Sequence, residues 1–262
     1  MAREGTQQAS APAPAAPLAP GPVDWSQPWF APWRDPGERV LARVAGGMPL
    51  HEALNAQGRN SVRFVPHGDL PTGMAYERYI FDSGACPTRL GLHDFFNGIC
   101  WLRLPLAKRR LNALQAAELA VGATGPLRGP VRDAITVFDE NGALLDAPAP
   151  LWDALLARDW QRLFIALRPL WAQARVLVFG HALLEKLVLP RKAITAHVWR
   201  GTAPLGDPAK LDAWLAGELS PGRLAAKPFT PLPLLGIPGW WPGNQNFSFY
   251  DDSLVFRAPR RP

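Results

Sequence analysis

Residues 131–146 read VRDAITVFDENGALLD, and the reading of this stretch decides the fold. Ala134 to Phe138 is rich in β-branched and aromatic residues, which suit a strand. Asn141-Gly142 is a strong tight-turn pair, and Ala143, Leu144 and Leu145 can return antiparallel. A hairpin around Asn141 is therefore expected. Helical patterns surround it on both sides, so the predicted class is α+β: a single domain with an antiparallel hairpin packed against several helices.

Downstream, PAPLWDALLARDWQRLFIALRP (148–169) reads as helix. LWAQARVLVFGHALLEKLVLP (170–190) reads as a second helix, apolar nearly all round and therefore buried at the centre of the fold. ITAHVW (194–199) reads as a strand. DPAKLDAWLAGEL (207–219) reads as a short surface helix with Asp207 as cap and Pro208 at its first position. The remainder is Pro/Gly-punctuated coil ending in a strand, SLVFR (253–257). Upstream, a helix is expected from about Leu92 to Leu102. Pro105 ends it and starts the next, LAKRRLNALQAAELA (106–120), whose stripe of Leu111, Leu114 and Val121 is interrupted by Glu118. GATGPLRGP (122–130) reads as loop. SVRFVPHG (61–68) reads as a strand, and AYERYIFDSG (75–84) as a short helix or an irregular connector. GERVLARVA and MPLHEALNAQ read as helices. DWSQPWFAPWRDP (24–36) reads as an ordered arm along the core. Residues 1–23, dominated by Ala and Pro, read as a flexible leader, which leaves residues 24–262 as the folded domain.

The chain has 262 residues, 48% of them apolar, enough for a substantial core. Eleven Trp is high, and most should be core or half-core. A net charge of +6 favours anionic partners, but 19% charged residues is below the density of a dedicated nucleic-acid binder. Two cysteines, Cys86 and Cys100, are too few for a disulfide framework. With no apolar signal region and no long apolar run, neither secretion nor a membrane span is expected, and a cytoplasmic location follows by default.

Chemistry has four candidate places. In LHDFFNGICWLRLPLAKRRLN (92–112), His93, Asn97, Cys100 and Trp101 share one helical face. A buried imidazole or carboxamide needs partners. His93 and Asn97 therefore either brace the fold or line a site, with His93 as base or metal ligand. Asp94 suits the first turn as a cap. The basic run Arg103, Lys108, Arg109, Arg110 reads as a wet face, or as a place where Lys108 meets an anion. In FGHALLEK, His181 and Glu185 are one helical turn apart and can share a metal, act as base and orienter, or form an internal pair. Gly180 permits close approach of another element. In RDAITVFDENG, Arg132 and Asp133 open the expected strand and Asp139 and Glu140 close it. Two such carboxylates can join a third to hold a divalent cation, although turn chemistry alone also accounts for Asp139, Asn141 and Gly142. In GIPGWWPGNQNFSFYDD, Trp240 and Trp241 can stack on a ring, with Asn244 and Asn246 beside them, or can plug the core. Asp251 and Asp252 follow as caps or further carboxylates.

The P-loop, the dinucleotide-binding glycine pattern, the nucleophile elbow and zinc-finger spacings are absent from the sequence. Five dissimilar motifs do occur in order: RLGLHDFFNGICWLRLPLAKRRLNALQ, RDAITVFDENGALL, FGHALLEK, PLPLLGIPGWW and FYDDSLVFR. Together they resemble the bacterial family called domain of unknown function 3025, from about Val62 to Arg257. The resemblance implies a soluble protein of mainly proteobacterial distribution. It assigns no activity and no role to His93 or His181.

The leading functional expectation is an enzyme acting on an anionic small molecule or phosphoester, with a divalent metal as a candidate cofactor. Its catalytic set is His93, His181, Glu185 and Asp133. Asn97, Lys108, Arg132, Trp240, Trp241 and Asn244 are the expected substrate-binding residues. One rival is a binding module for nucleic acid or protein, using the basic helix and exposed Trp. The other is a structural domain whose polar residues satisfy one another. The enzyme reading requires His93, His181, Glu185 and Asp133 to converge on one cleft.

Overall fold

Pro130–Asn141 is an α-helix, not the first strand of a hairpin. Pro130 stands at its first position and Gly129 precedes it, an entry that suits a helix. Ala134, Ile135 and Phe138 are buried while Thr136 and Val137 are half-buried, which is the spacing of a helical stripe. The Thr136 hydroxyl donates to the Arg132 carbonyl at 3.1 Å, so this β-branched residue is accommodated within the helix. Gly142 is extended (φ −76°, ψ 152°), so Asn141-Gly142 makes no hairpin turn. A side chain at Gly142 would collide with the carbonyl and ring of Phe138.

The computed structural model describes residues 23–58, 60–122, 129–201 and 203–258. The expected leader, except Val23, and most of the expected loop at 122–130 lie outside them. In chain order the elements are α1 (Arg34–Ala45), α2 (Leu50–Asn55), β1 (Arg63–Pro66), α3 (Tyr76–Ser83), β2 (Ala85–Thr88), α4 (Leu92–Arg103) and α5 (Pro105–Gly122). Then come α6 (Pro130–Asn141), β3 (Gly142–Asp146), α7 (Ala149–Ala157), β4 (Arg175–Val178), α8 (His181–Lys186), β5 (Thr195–Trp199), α9 (Pro208–Glu218), α10 (Pro221–Ala225) and β6 (Phe229–Pro233).

The fold is α+β in a single domain, with two small sheets. β1 and β2 pair in parallel, and a four-stranded sheet has the order β4-β3-β5-β6. Antiparallel pairing is present, but between other partners than expected. β3 pairs with β4, Ala143 opposite Val178, and β5 pairs with β6, Ala196 opposite Leu232. The apolar run 170–190 is therefore not one helix. It splits into a short turn, β4 and α8, because an all-apolar run suits a buried strand as well as a buried helix. The expected helix over 148–169 also breaks, at Arg158 in the left-handed region (φ 51°). Phe229–Pro233, not SLVFR, supplies the last strand, and residues 253–256 form turns.

Phe138 centres an aromatic seam between α6 and the sheet. Its ring stacks on Phe179 at 4.7 Å and Phe229 at 5.8 Å and meets Trp199 edge-on at 5.2 Å. The arm is ordered: Trp29, Phe30 and Trp33 are buried, and the Trp33 indole donates to the Val178 carbonyl at 3.1 Å. Among the described residues no helix is long and apolar enough to cross a membrane.

The start of α5 is capped from another helix. Pro105 has no N–H, and the amides of Leu106 and Ala107 each donate to the Asp212 carboxylate of α9 at 2.9 Å. Asp212→Ala should lose about 1–3 kcal/mol in urea unfolding, since two amides lose their acceptor. Asp212→Asn, which keeps one acceptor oxygen, should lose less. Burial holds the Asp212 carboxyl above the usual carboxylate range, against the pull of the two amides. The sign follows: its linked contribution is full below the unfolded pKa, about 4, and declines as pH rises through the higher folded value. The stability difference between wild type and Asp212→Asn should therefore change across that window and level off above it.

Candidate functional site

Three helix ends meet at one point. His93 lies in the first turn of α4, Glu140 one residue before the end of α6, and His181 at the first position of α8. Gly180 makes the meeting sterically feasible. A Cβ there would stand 2.5 Å from the Asn141 nitrogen and the Glu140 carbonyl, so only glycine lets α8 begin against the end of α6.

The two imidazoles face each other through Nε2, 3.2 Å apart, with ring centroids 4.6 Å apart. Each has a carboxylate near its other nitrogen. Glu185 Oε2 lies 3.2 Å from His93 Nδ1, and Asp139 Oδ2 lies 3.8 Å from His181 Nδ1. Glu140 Oε1 is 3.6 Å from His181 Nε2. Asp139 also receives the ammonium of Lys108 at 2.5 Å, and that ammonium lies 5.6 Å from the Trp101 ring centre. Lys108 is buried, not part of a wet face.

The environment moves these groups in different directions. The Glu185 hydrogen bond raises the His93 pKa against the effect of burial. Burial lowers that of His181 to about 3. Burial, then the neighbouring Asp139, raises the Glu140 carboxyl. Burial alone would raise Asp139 as well, but Lys108 and His181 hold it below the usual range.

His93, Lys108, Asp139, Glu140 and His181 line a cavity of about 300 Å³, whereas Glu185 is not in its lining and reaches it only through His93. Its lining adds Arg89, whose backbone amide is held by Asp94 at 2.6 Å, and His67, Glu77, Asn112 and Gln115. The side-chain amide of Asn97 donates to the Tyr76 hydroxyl at 3.2 Å, and that hydroxyl lies 3.3 Å from the Cys86 sulfur. Burial raises the Tyr76 hydroxyl well above its ordinary value and pushes the Cys86 thiol up to about 11. Among the described residues, four of the lining carry a buried polar atom with no hydrogen-bond partner: His67 Nδ1, Asn97 Oδ1, Gln115 Oε1 and His181 Nδ1. Such atoms are uncommon in a purely structural network.

Residues 62–260 match the family model described as Protein of unknown function (DUF3025). The chain belongs to the DUF3025 family. The DUF3025 match contains every residue of the cluster, whereas the aromatic arm precedes it. No curated protein and no solved structure matches the chain.

The expected site residues divide. His93, His181 and Glu185 come together, with Asn97 and Lys108 lining the same cavity. Asp133 and Arg132 do not line it, so the four-residue convergence expected of the enzyme fails at Asp133. They occupy the first turn of α6, where Asp133 suits the helix N-terminus. A helix rises about 1.5 Å per residue, so Asp133 lies about 9 Å along the axis from Asp139. Asp139 and Glu140, at the other end, are the carboxylates that reach the cavity.

Trp240, Trp241 and Asn244 are not in the lining either. Trp240 packs on Trp29 of the arm at 5.9 Å, and Trp241 packs against the core. Asn244 is buried, donating to the Leu235 and Ile237 carbonyls at 2.9 and 2.8 Å and accepting from Arg168 at 3.2 Å. The loop is braced by its own side chains. Tyr76, Arg89, His67 and Gln115 were missed by the sequence reading. His67 stood in the Pro-His-Gly turn, and the others carry no local signal.

Proposed function

We propose that this DUF3025 chain is an enzyme acting on a small anionic molecule, with a phosphoester as the best-fitting class. The observation that carries this is the cavity of about 300 Å³ with His93, His181 and Glu140 gathered in its lining. That volume is at the low end for small-molecule sites. The paired imidazoles and carboxylates are the groups used for proton transfer or for activating water.

Charge narrows the reading. Glu77, Asp94, Asp139 and Glu140 line the cavity against Arg89 and Lys108. Lys108 is engaged by Asp139 and Arg89 by Asp94. The protein therefore leaves residual negative charge, and an anion enters favourably when a divalent cation comes with it. The partnerless polar atoms around the cavity weigh against a purely structural role. The inward turn of Lys108 weighs against a basic face for nucleic acid. Two free, buried cysteines support a cytoplasmic location.

The test is turnover of a panel of small phosphomonoesters and phosphodiesters by the full chain, with and without added divalent metal. Phosphate or alcohol release should be detected and should fall at least about 100-fold in His93→Ala, the scale of a lost acid–base or ligand group. Absence of turnover together with absence of binding of inorganic phosphate by calorimetry would sink the reading.

A further inference from the structure

We infer that His93 Nε2, His181 Nε2 and a Glu140 carboxylate oxygen are the ligands of one first-row divalent metal ion, such as Zn²⁺. The inference rests on the same site as the enzyme reading but not on any turnover. Its first support is distance. One candidate ligand atom from each residue lies within 4.8 Å of the others. Two imidazole nitrogens bound to one ion at 2.0–2.1 Å with a tetrahedral angle stand about 3.3 Å apart. The two Nε2 atoms stand 3.2 Å apart, already at that separation.

The second support is the outer shell. A metal-bound imidazole nearly always presents its other nitrogen to a carboxylate, carbonyl or water, which fixes the ring and leaves the ligating nitrogen bare. His93 has Glu185 at Nδ1, and His181 has Asp139 near Nδ1. With Nδ1 of His93 protonated toward Glu185, its Nε2 lone pair is bare and faces His181 Nε2 at 3.2 Å, where either an ion or a His181 proton can lie. Asp139 is in turn oriented by Lys108, so the support extends one residue further out.

The third support is the number and type of ligands. Two imidazoles and one carboxylate suit zinc, iron or manganese rather than calcium, which prefers an all-oxygen shell. Three protein ligands leave a fourth position, as in catalytic rather than structural sites. All three residues line the cavity, so that position is available to water or to a substrate oxygen.

The experiment is metal titration of the chelator-stripped full chain with Zn²⁺ by calorimetry, with Co²⁺ absorption as an independent report of the ligand geometry. One ion per chain should bind in the wild type, and binding should be lost in His93→Ala and in His181→Ala. Glu185→Gln, at a partly exposed position, should keep the fold and weaken binding about 10- to 100-fold, the usual effect of removing an outer-shell carboxylate. Circular dichroism of each variant separates lost ligation from lost folding. No uptake by the wild type would overturn the proposal, with a shared proton then holding the two imidazoles together. Unchanged affinity in folded His93→Ala would overturn it too. Uptake without phosphoester turnover would leave the metal site standing and remove the enzyme reading. Turnover by metal-free protein together with no metal uptake by the wild type would do the reverse.

Discussion

Phe138→Ala is expected to lower the unfolding free energy by about 3–5 kcal/mol, the range for deleting a fully buried aromatic ring. The side chain is inaccessible to solvent and is the common neighbour of Phe179, Trp199 and Phe229. Those three rings come from the end of β4, from β5 and from β6, so removing Phe138 leaves a cavity where helix meets sheet. Ile135→Ala should cost about 2–5 kcal/mol, because Ile135 is buried on the same helical stripe. Val137→Ala, half-buried, should stay within about 1 kcal/mol. The trio is diagnostic. In a strand Ile135 and Val137 would share one face and Phe138 would take the other. Equal losses at 135 and 137 in urea unfolding would contradict the helix.

The residues that misled the sequence reading and the residues that build the site lie in this one segment. Ile135, Thr136 and Val137 favour a strand locally, but the separation of Pro130, Ala134, Ile135 and Phe138 fits a helix. Burial of Phe138 outweighs propensities that differ by only about 1 kcal/mol between strand and helix formers. Asn141-Gly142 carried a true signal with the wrong meaning: glycine is required there by the closeness of Phe138, not by a turn. Elsewhere local rules sufficed. Asp207 accepts from the Ala209 and Lys210 amides, and Pro208 opens α9, as expected from the cap pattern. Pro105 separates α4 from α5.

The site was legible to the extent that its chemistry lay beside apolar residues. His93 and His181 stood out because imidazoles in apolar runs need partners, and the fold brings the two rings together. The carboxylates were less legible, because the helical form of 130–141 decides which of its acids reach the cavity. Read as a strand, both Asp133 and Glu140 were eligible. Read as a helix, the first turn faces away and the last turn supplies Asp139 and Glu140. Trp240, Trp241 and Asn244 were ambiguous by composition, since a loop built to bind and a loop built to brace itself use the same residues.

Lys108→Met should destabilise the chain by about 3–5 kcal/mol, the range for breaking a buried ion pair by removing one member. The expected value lies in the lower half of that range. The Lys108 side chain is 4% exposed, but that of Asp139 is 26% exposed, so the stranded carboxylate keeps some access to water. Methionine nearly preserves volume and the contact with Trp101, so the loss reports charge rather than packing. Asp139→Asn in the Lys108→Met background removes the stranded charge and should recover most of the loss. A double-mutant cycle in urea then gives the coupling. A single-variant loss below about 1 kcal/mol would mean that the pair behaves as a surface ion pair. The same cycle bears on the metal site. Asp139 is held by Lys108 through Oδ1 and faces His181 through Oδ2. With Lys108 replaced, the carboxylate loses the partner that orients it toward His181. Zn²⁺ affinity of folded Lys108→Met should then fall along with global stability, whereas an ion pair that only holds the fold would leave the affinity unchanged.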